Sequence, residues 1–84
     1  MVRGDVQMVG FRDFASRQAQ RRGLTGYVRN LSDGSLEVEA EGPRTELEAL
    51  LGALKEGPPL AHVEDVDVLW EDAPSRFSRW ELHW

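Results

Sequence analysis

The run "SLEVEAE", residues 35–41, alternates apolar and acidic side chains without a break. A period of two puts Leu36, Val38 and Ala40 on one face of a strand and Glu37, Glu39 and Glu41 on the other. Just before it, "LSDG" carries Asp33-Gly34 at the tip of a turn, and "LTGYVRN" reads as a second strand. The two runs form a hairpin. A lone hairpin is marginal in water, so the rest of the chain has to cover its apolar face.

The remaining segments supply that cover through short connections. Val2 to Gln7 reads as a strand. Asp13 to Arg22 reads as a helix, with Asp13 in its first turn, Arg21 and Arg22 in its last, and Gly23 as the C-terminal cap. Phe14 and Ala15, with Gln18 and Ala19 a turn later, give this helix a thin apolar stripe. Gly42-Pro43 breaks the second hairpin strand. Thr45 with Glu48 reads as a capping box, and Leu47, Leu50, Leu51 and Leu54 line one side of a second helix. Lys55 lies near its end and Gly57-Pro58-Pro59 stops it. "HVEDVDVLW" is a further strand with Val66, Val68 and Trp70 on one face. "EDAPSR" is a loop, and "RWELHW" a last short strand with Trp80, Leu82 and Trp84 on one face. The order is β-α-β-β-α-β plus a terminal strand. It predicts an α+β, ferredoxin-like two-layer sandwich: an antiparallel sheet with two helices on one face. With 84 residues, one domain over residues 1–84 is expected.

Composition narrows the chemistry. The chain has no cysteine, which removes disulfides, thiolate metal sites and a Cys nucleophile. Its two histidines, His62 and His83, have no ligand spacing, so no metal is expected. No apolar run approaches the roughly 18 residues that span a bilayer, and no secretory pattern opens the chain. The expectation is a soluble, cytoplasmic protein with no membrane contact. The net charge of −5 disfavours nucleic acid as a partner. An anionic substrate would need a local positive site.

One place offers such a site. In "VQMVGFR" an apolar run passes through Gly10, ends on Arg12, and a helix follows. Unsatisfied N–H groups at a helix N-terminus attract anions, and Arg12 adds a planar cation able to hold two phosphate oxygens. Composition alone reads Arg12 more simply as a surface arginine in a weak salt bridge. Asn30, at the end of a strand before the "LSDG" turn, is readable on its own as a turn residue bonding its own backbone. Trp70, Trp80 and Trp84 read as core or rim, and Glu37, Glu39 and Glu41 as a solvated sheet face.

Together, "VQMVGFR", "GLTGYVRN" and "DGSLEVEAEG" resemble the acylphosphatases. That family's motif is close to G-x-V-Q-G-V-x-F-R, followed eighteen residues after the Arg by an Asn in a G-[YW]-V-x-N context. Gly4, Val6, Gln7, Val9, Phe11 and Arg12 match the first part, and Gly26, Tyr27, Val28 and Asn30 the second, at that spacing. The Gly-Pro after the second helix and the following "AHVEDV" also fit, so the resemblance covers essentially the whole chain. It implies hydrolysis of the carboxyl–phosphate bond of small acyl phosphates to a carboxylate and inorganic phosphate, without cofactor or metal, in a monomer. It further implies a phosphate-binding loop of Gln7, Met8, Val9, Gly10, Phe11 and Arg12, with Arg12 and Asn30 catalytic: Arg12 clamps the phosphate and Asn30 holds the attacking water. Two departures stand out. Met8 occupies a position that is usually glycine, and only Met1, Val2 and Arg3 precede Gly4, so the first strand is short. A catalytically weak, acylphosphatase-like interaction module is the alternative.

Overall fold

A computed structural model of the chain describes residues 1–5, 10–59, 61–70 and 76–83. Its elements run β1 (Val2–Asp5), α1 (Phe11–Arg21), β2 (Thr25–Asn30), β3 (Leu36–Glu41), α2 (Arg44–Glu56), β4 (His62–Val66) and β5 (Trp80–His83). The sheet order is β4-β1-β3-β2-β5. The first four strands pair antiparallel. The terminal strand β5 adds alongside β2 in parallel, so the five-stranded sheet is mixed. The two-layer α+β architecture is the expected one.

The β2–β3 hairpin has the expected register, from Thr25↔Glu41 to Asn30↔Leu36. Gly26, Val28 and Asn30 therefore share a face with Leu36, Val38 and Ala40. That face meets the helices. Val2, Phe11, Val28 and Leu36 are its fully buried large side chains, joined by Ala15 and Ala19 of α1 and Leu50 and Leu54 of α2. Small alanines at the contact let α1 lie close on the sheet.

The opposite face is not simply solvated, contrary to expectation. Glu37 accepts from the Tyr27 hydroxyl at 2.8 Å and from Arg29 Nε at 2.7 Å. Glu39 pairs with Arg76. Glu41 accepts the backbone N–H groups of Arg76 and Phe77. The glutamates tie the segment ahead of β5 to the hairpin, a link between residues distant in sequence.

Several element boundaries differ from the sequence expectation, each for a local reason. Helix α1 begins at Phe11, two residues early, because Gly10 turns the chain in a left-handed conformation (φ 72°, ψ 23°) and serves as N-cap. Its buried stripe accordingly starts at Phe11 and includes Ser16. The other end matches: Leu24 N–H reaches Ala19 C=O and Gly23 N–H reaches Gln20 C=O, a Schellman closure. Helix α2 has Pro43 as its N-cap and no side-chain cap, so Thr45 lies inside the helix and the expected Thr45–Glu48 box is not formed. Strand β4 stops at Val66 rather than continuing to Trp70. Its partner β1 runs out there: Asp67 N–H bonds Met1 C=O at 2.9 Å, and Val68, Leu69 and Trp70 are exposed. Trp70 lies instead against the Arg44 guanidinium, 3.8 Å from its ring centroid. Of the expected first strand, Val6 and Gln7 fall outside the described residues, as does Trp84.

Among the described residues, β1 covers Val2–Asp5 and meets β3 at Val2↔Leu36. Beyond Met1 a cleft of about 990 Å³ opens between β3 and residues 66–70, floored by Leu47 and Leu51 of α2. Neither Arg12 nor Asn30 lines it.

Candidate active site

Chain length alone brings Arg12 and Asn30 to the same end of the molecule. Helix α1 rises roughly 15 Å over its ten steps, and β2 returns roughly 17 Å over its five. Only residues 22–24 join them, and α1 packs along β2. The end of β2 thus comes level with the start of α1.

At that start, Gly10 C=O accepts the Phe14 N–H at 2.9 Å, the first helical bond. Gly10 has no side chain, and the helix has no side-chain cap. Phe11 occupies the first helical position with its ring fully buried, edge-on to Phe14 at 5.7 Å between centroids. The ring thus anchors the helix start in the core. Arg12 follows, half-buried. Asp13 lies in the same turn, but its carboxylate is held by Arg17 at 2.6 Å. Gln7, Met8 and Val9, expected in the loop, lie outside the described residues.

Asn30 ends β2 on the helix-covered face. Its Oδ1 is buried and, alone among the described buried side-chain oxygens and nitrogens, has no hydrogen-bond partner. Such an atom costs the fold free energy, so it does not serve as the self-satisfied turn residue that sequence allowed. The turn beyond it is closed by others. Leu31 N–H bonds Ser35 C=O, and Gly34 N–H bonds Leu31 C=O. Asp33 accepts from Ser35 N–H at 2.9 Å and Ser35 Oγ at 2.5 Å. Those donors hold the Asp33 carboxyl below its ordinary range.

A contact that sequence did not suggest reaches the Arg12 carbonyl. Trp80 Nε1 donates to Ser16 Oγ at 2.9 Å, and Ser16 Oγ donates to Arg12 C=O at 3.0 Å. Ser16 sits four residues after Arg12 on the buried stripe, which was the available signal. Its partner lies 64 residues away. Among the described residues, no group of three or more His, Asp or Glu side chains could hold a metal ion, and no helix is long and apolar enough to cross a membrane.

The structure defines a ferredoxin-like sandwich whose first helix opens at Gly10 with no side-chain cap and whose second strand ends on Asn30, with a buried, unpartnered Oδ1. A family model described as Acylphosphatase matches residues 1–82. An acylphosphatase of Salinibacter ruber is 55% identical over 76 residues, covering 90% of this chain and 80% of that one. Another, of Thermus thermophilus, is 54% identical over 70 residues, covering 83% and 80%. The crystal structure of acylphosphatase from Bacillus subtilis superposes with a TM-score of 0.95 at 37% identity, covering 99% of this chain and 92% of that one. The chain belongs to the acylphosphatase family. With that membership the expected activity stands: it is an acylphosphatase, a hydrolase.

Proposed function

We propose that the chain hydrolyses small acyl phosphates through Arg12 and Asn30, releasing a carboxylate and inorganic phosphate. The observation that supports this reading most directly is the buried, unpartnered Oδ1 of Asn30. An attacking water needs an acceptor for one of its protons, and an amide oxygen with no other partner is a fixed one. The phosphoryl group binds at the N-terminus of α1, where backbone N–H groups and the helix dipole favour negative charge. The loop of residues 7–12 contributes its N–H groups, and the Arg12 guanidinium clamps two of the oxygens.

The chemistry asks little more. Water attacks phosphorus, the bond from phosphorus to the acyl oxygen breaks, and the pair of electrons leaves on the carboxylate. A carboxylate is a good leaving group, so no strong general acid is required. What remains is positioning and charge stabilisation. In this reading residues 1–84 act as one catalytic domain, a monomer in the cytoplasm. Nucleic acid is not a partner in this reading, because the net charge of −5 opposes a polyanion.

Turnover of benzoyl phosphate by the purified chain and its variants tests the assignment. Arg12→Ala is expected to lose about 10²- to 10³-fold in rate, the usual cost of a donor aimed at transition-state charge, and to weaken inhibition by phosphate. Arg12→Lys rescues poorly, since a point charge cannot grip two oxygens. Asn30→Ala lowers kcat while competitive inhibition by phosphate persists. A raised KM with unchanged kcat would remove Asn30 from the water. No rate above background from the folded chain would favour the interaction module instead.

A further inference from the structure

We propose that Ser16 and Trp80 are positioning residues for the reaction, holding the first turn of α1 in register with β2 so that Arg12 faces Asn30. The proposal rests on the reading of Arg12 and Asn30 given above. The starting point is a chain of two hydrogen bonds that crosses the core. The Trp80 indole N–H donates to Ser16 Oγ at 2.9 Å, and the Ser16 hydroxyl donates to Arg12 C=O at 3.0 Å. Trp80 and Ser16 are both buried, at 8% and 5% exposure. Water therefore does not compete for these groups, and the indole N–H is a donor with no other use.

The direction of the chain matters. A serine hydroxyl rotates freely and can donate or accept. Once Trp80 occupies an oxygen lone pair, the hydroxyl proton is directed to the Arg12 carbonyl. A serine bonded back to the carbonyl four residues earlier bends the helix slightly at that point. Here that point is the turn carrying Arg12. Trp80 is the first residue of β5 and pairs with Gly26 of β2. Gly26 in turn shares its strand with Asn30. The chain of bonds therefore links the two elements that carry the two reacting side chains, through a third strand that carries neither. Trp80 and Ser16 touch no substrate in this arrangement. They act on the angle and height of the Arg12 backbone, and an arginine clamp tolerates little error there.

Trp80→Phe keeps an aromatic ring in the core but removes the N–H. Ser16→Ala removes the hydroxyl and puts the best helix former in its place. Kinetics are measured at a temperature at which unfolding curves show each variant folded. Each variant is expected to raise the phosphate inhibition constant and lower kcat by about two- to tenfold, the worth of one neutral hydrogen bond. The double variant is expected to be no worse than the worse single one, because both changes break one chain. Purely structural bonds would lower the unfolding midpoint and leave both kinetic constants of the folded protein unchanged. That result in Ser16→Ala overturns the proposal even if Trp80→Phe does not fold. Arg12→Ala is measured alongside. If it too turns over normally, the site reading itself has failed. If it is inactive while Ser16→Ala and Trp80→Phe match the parent, only the positioning role has failed.

Discussion

Gly10 and Gly23 bracket α1 in the same backbone conformation, with φ of 72° and 68°. A Cβ built on either would meet nothing within 4 Å. Crowding is therefore not the reason for glycine at either position; the left-handed conformation is, and it costs an L-residue about 1–2 kcal/mol. The two ends differ in what they serve. Gly23 closes a Schellman motif with no reacting group near it in sequence. Gly10 sets the direction from which the chain enters the turn of Phe11 and Arg12. Gly10→Ala and Gly23→Ala are expected to lose similar stability, about 1–2 kcal/mol each. Only Gly10→Ala should also raise the phosphate inhibition constant. Paired denaturant titrations and inhibition curves check this, and equal inhibition constants in the two variants would detach Gly10 from phosphate binding. Arg12 and Asn30 were legible as candidates because a motif spans them. The state of the Asn30 amide was not, since its burial comes from elements elsewhere in the chain. The Ser16–Trp80 bond was not legible for the same reason.

Among the elements, the hairpin was legible because its alternation is local and strict. The end of β4 was not, because a strand stops where its partner stops, and the partner is β1. The start of α1 was obscured by a phenylalanine at its first position, which looks like the tail of the preceding strand. The glutamate face was misread for a related reason: Glu39 and Glu41 find their partners, Arg76 and Phe77, more than thirty residues away. This face makes a pH-dependent contribution. The Tyr27 hydroxyl, then Arg29, hold the Glu37 carboxyl below its ordinary range. Burial, and then the bond to Glu37, raise the Tyr27 phenol, so it remains a neutral donor. A carboxyl depressed in the folded state adds stability above its unfolded pKa, which lies near 4.3. That stability is lost as pH falls through the folded value. Glu37→Gln should therefore melt below the parent at neutral pH, with the gap closing in acid. Both carboxylate and guanidinium are partly exposed, so the gap is modest, up to about 1 kcal/mol. Thermal unfolding of the pair at several pH values decides it, and a gap that does not change with pH would show that Glu37 is held by something other than its charge.

At the scale of the whole molecule, β1 lies between β4 and β3 in the five-stranded sheet. Among the described residues, β1 pairs with β4 from Val2↔Val66 to Asp5↔His62 and with β3 at Val2↔Leu36. The ladder is already aligned to continue: the Met1 ammonium donates to Asp67 C=O at 2.8 Å and Met1 C=O accepts Asp67 N–H at 2.9 Å. The next positions would lie in the cleft between β3 and residues 66–70, above the leucines of α2. Val2 is buried on the helix face, so of residues added directly ahead of Met1, the first, third and fifth would point to α2. Continuing the Val2↔Leu36 register, the second and fourth would stand opposite Glu39 and Glu41, where a basic residue is favoured and an acidic one costs stability. Each inward aliphatic side chain that becomes fully buried contributes about 1.5–3 kcal/mol before the entropy of ordering is subtracted. A five-residue extension with apolar residues at the first, third and fifth positions and lysines between them is expected to raise the denaturant midpoint. The same residues moved by one position present lysine to the leucines and apolar groups to the glutamates, because a one-residue slip reverses every face. That slipped version should give no gain. Exposed strand edges also recruit other chains, so sedimentation of the parent and the extended chain belongs with the unfolding curves. Equal midpoints for the aligned and slipped extensions, with all three proteins monomeric, would mean that the cleft does not behave as a vacant position in the sheet.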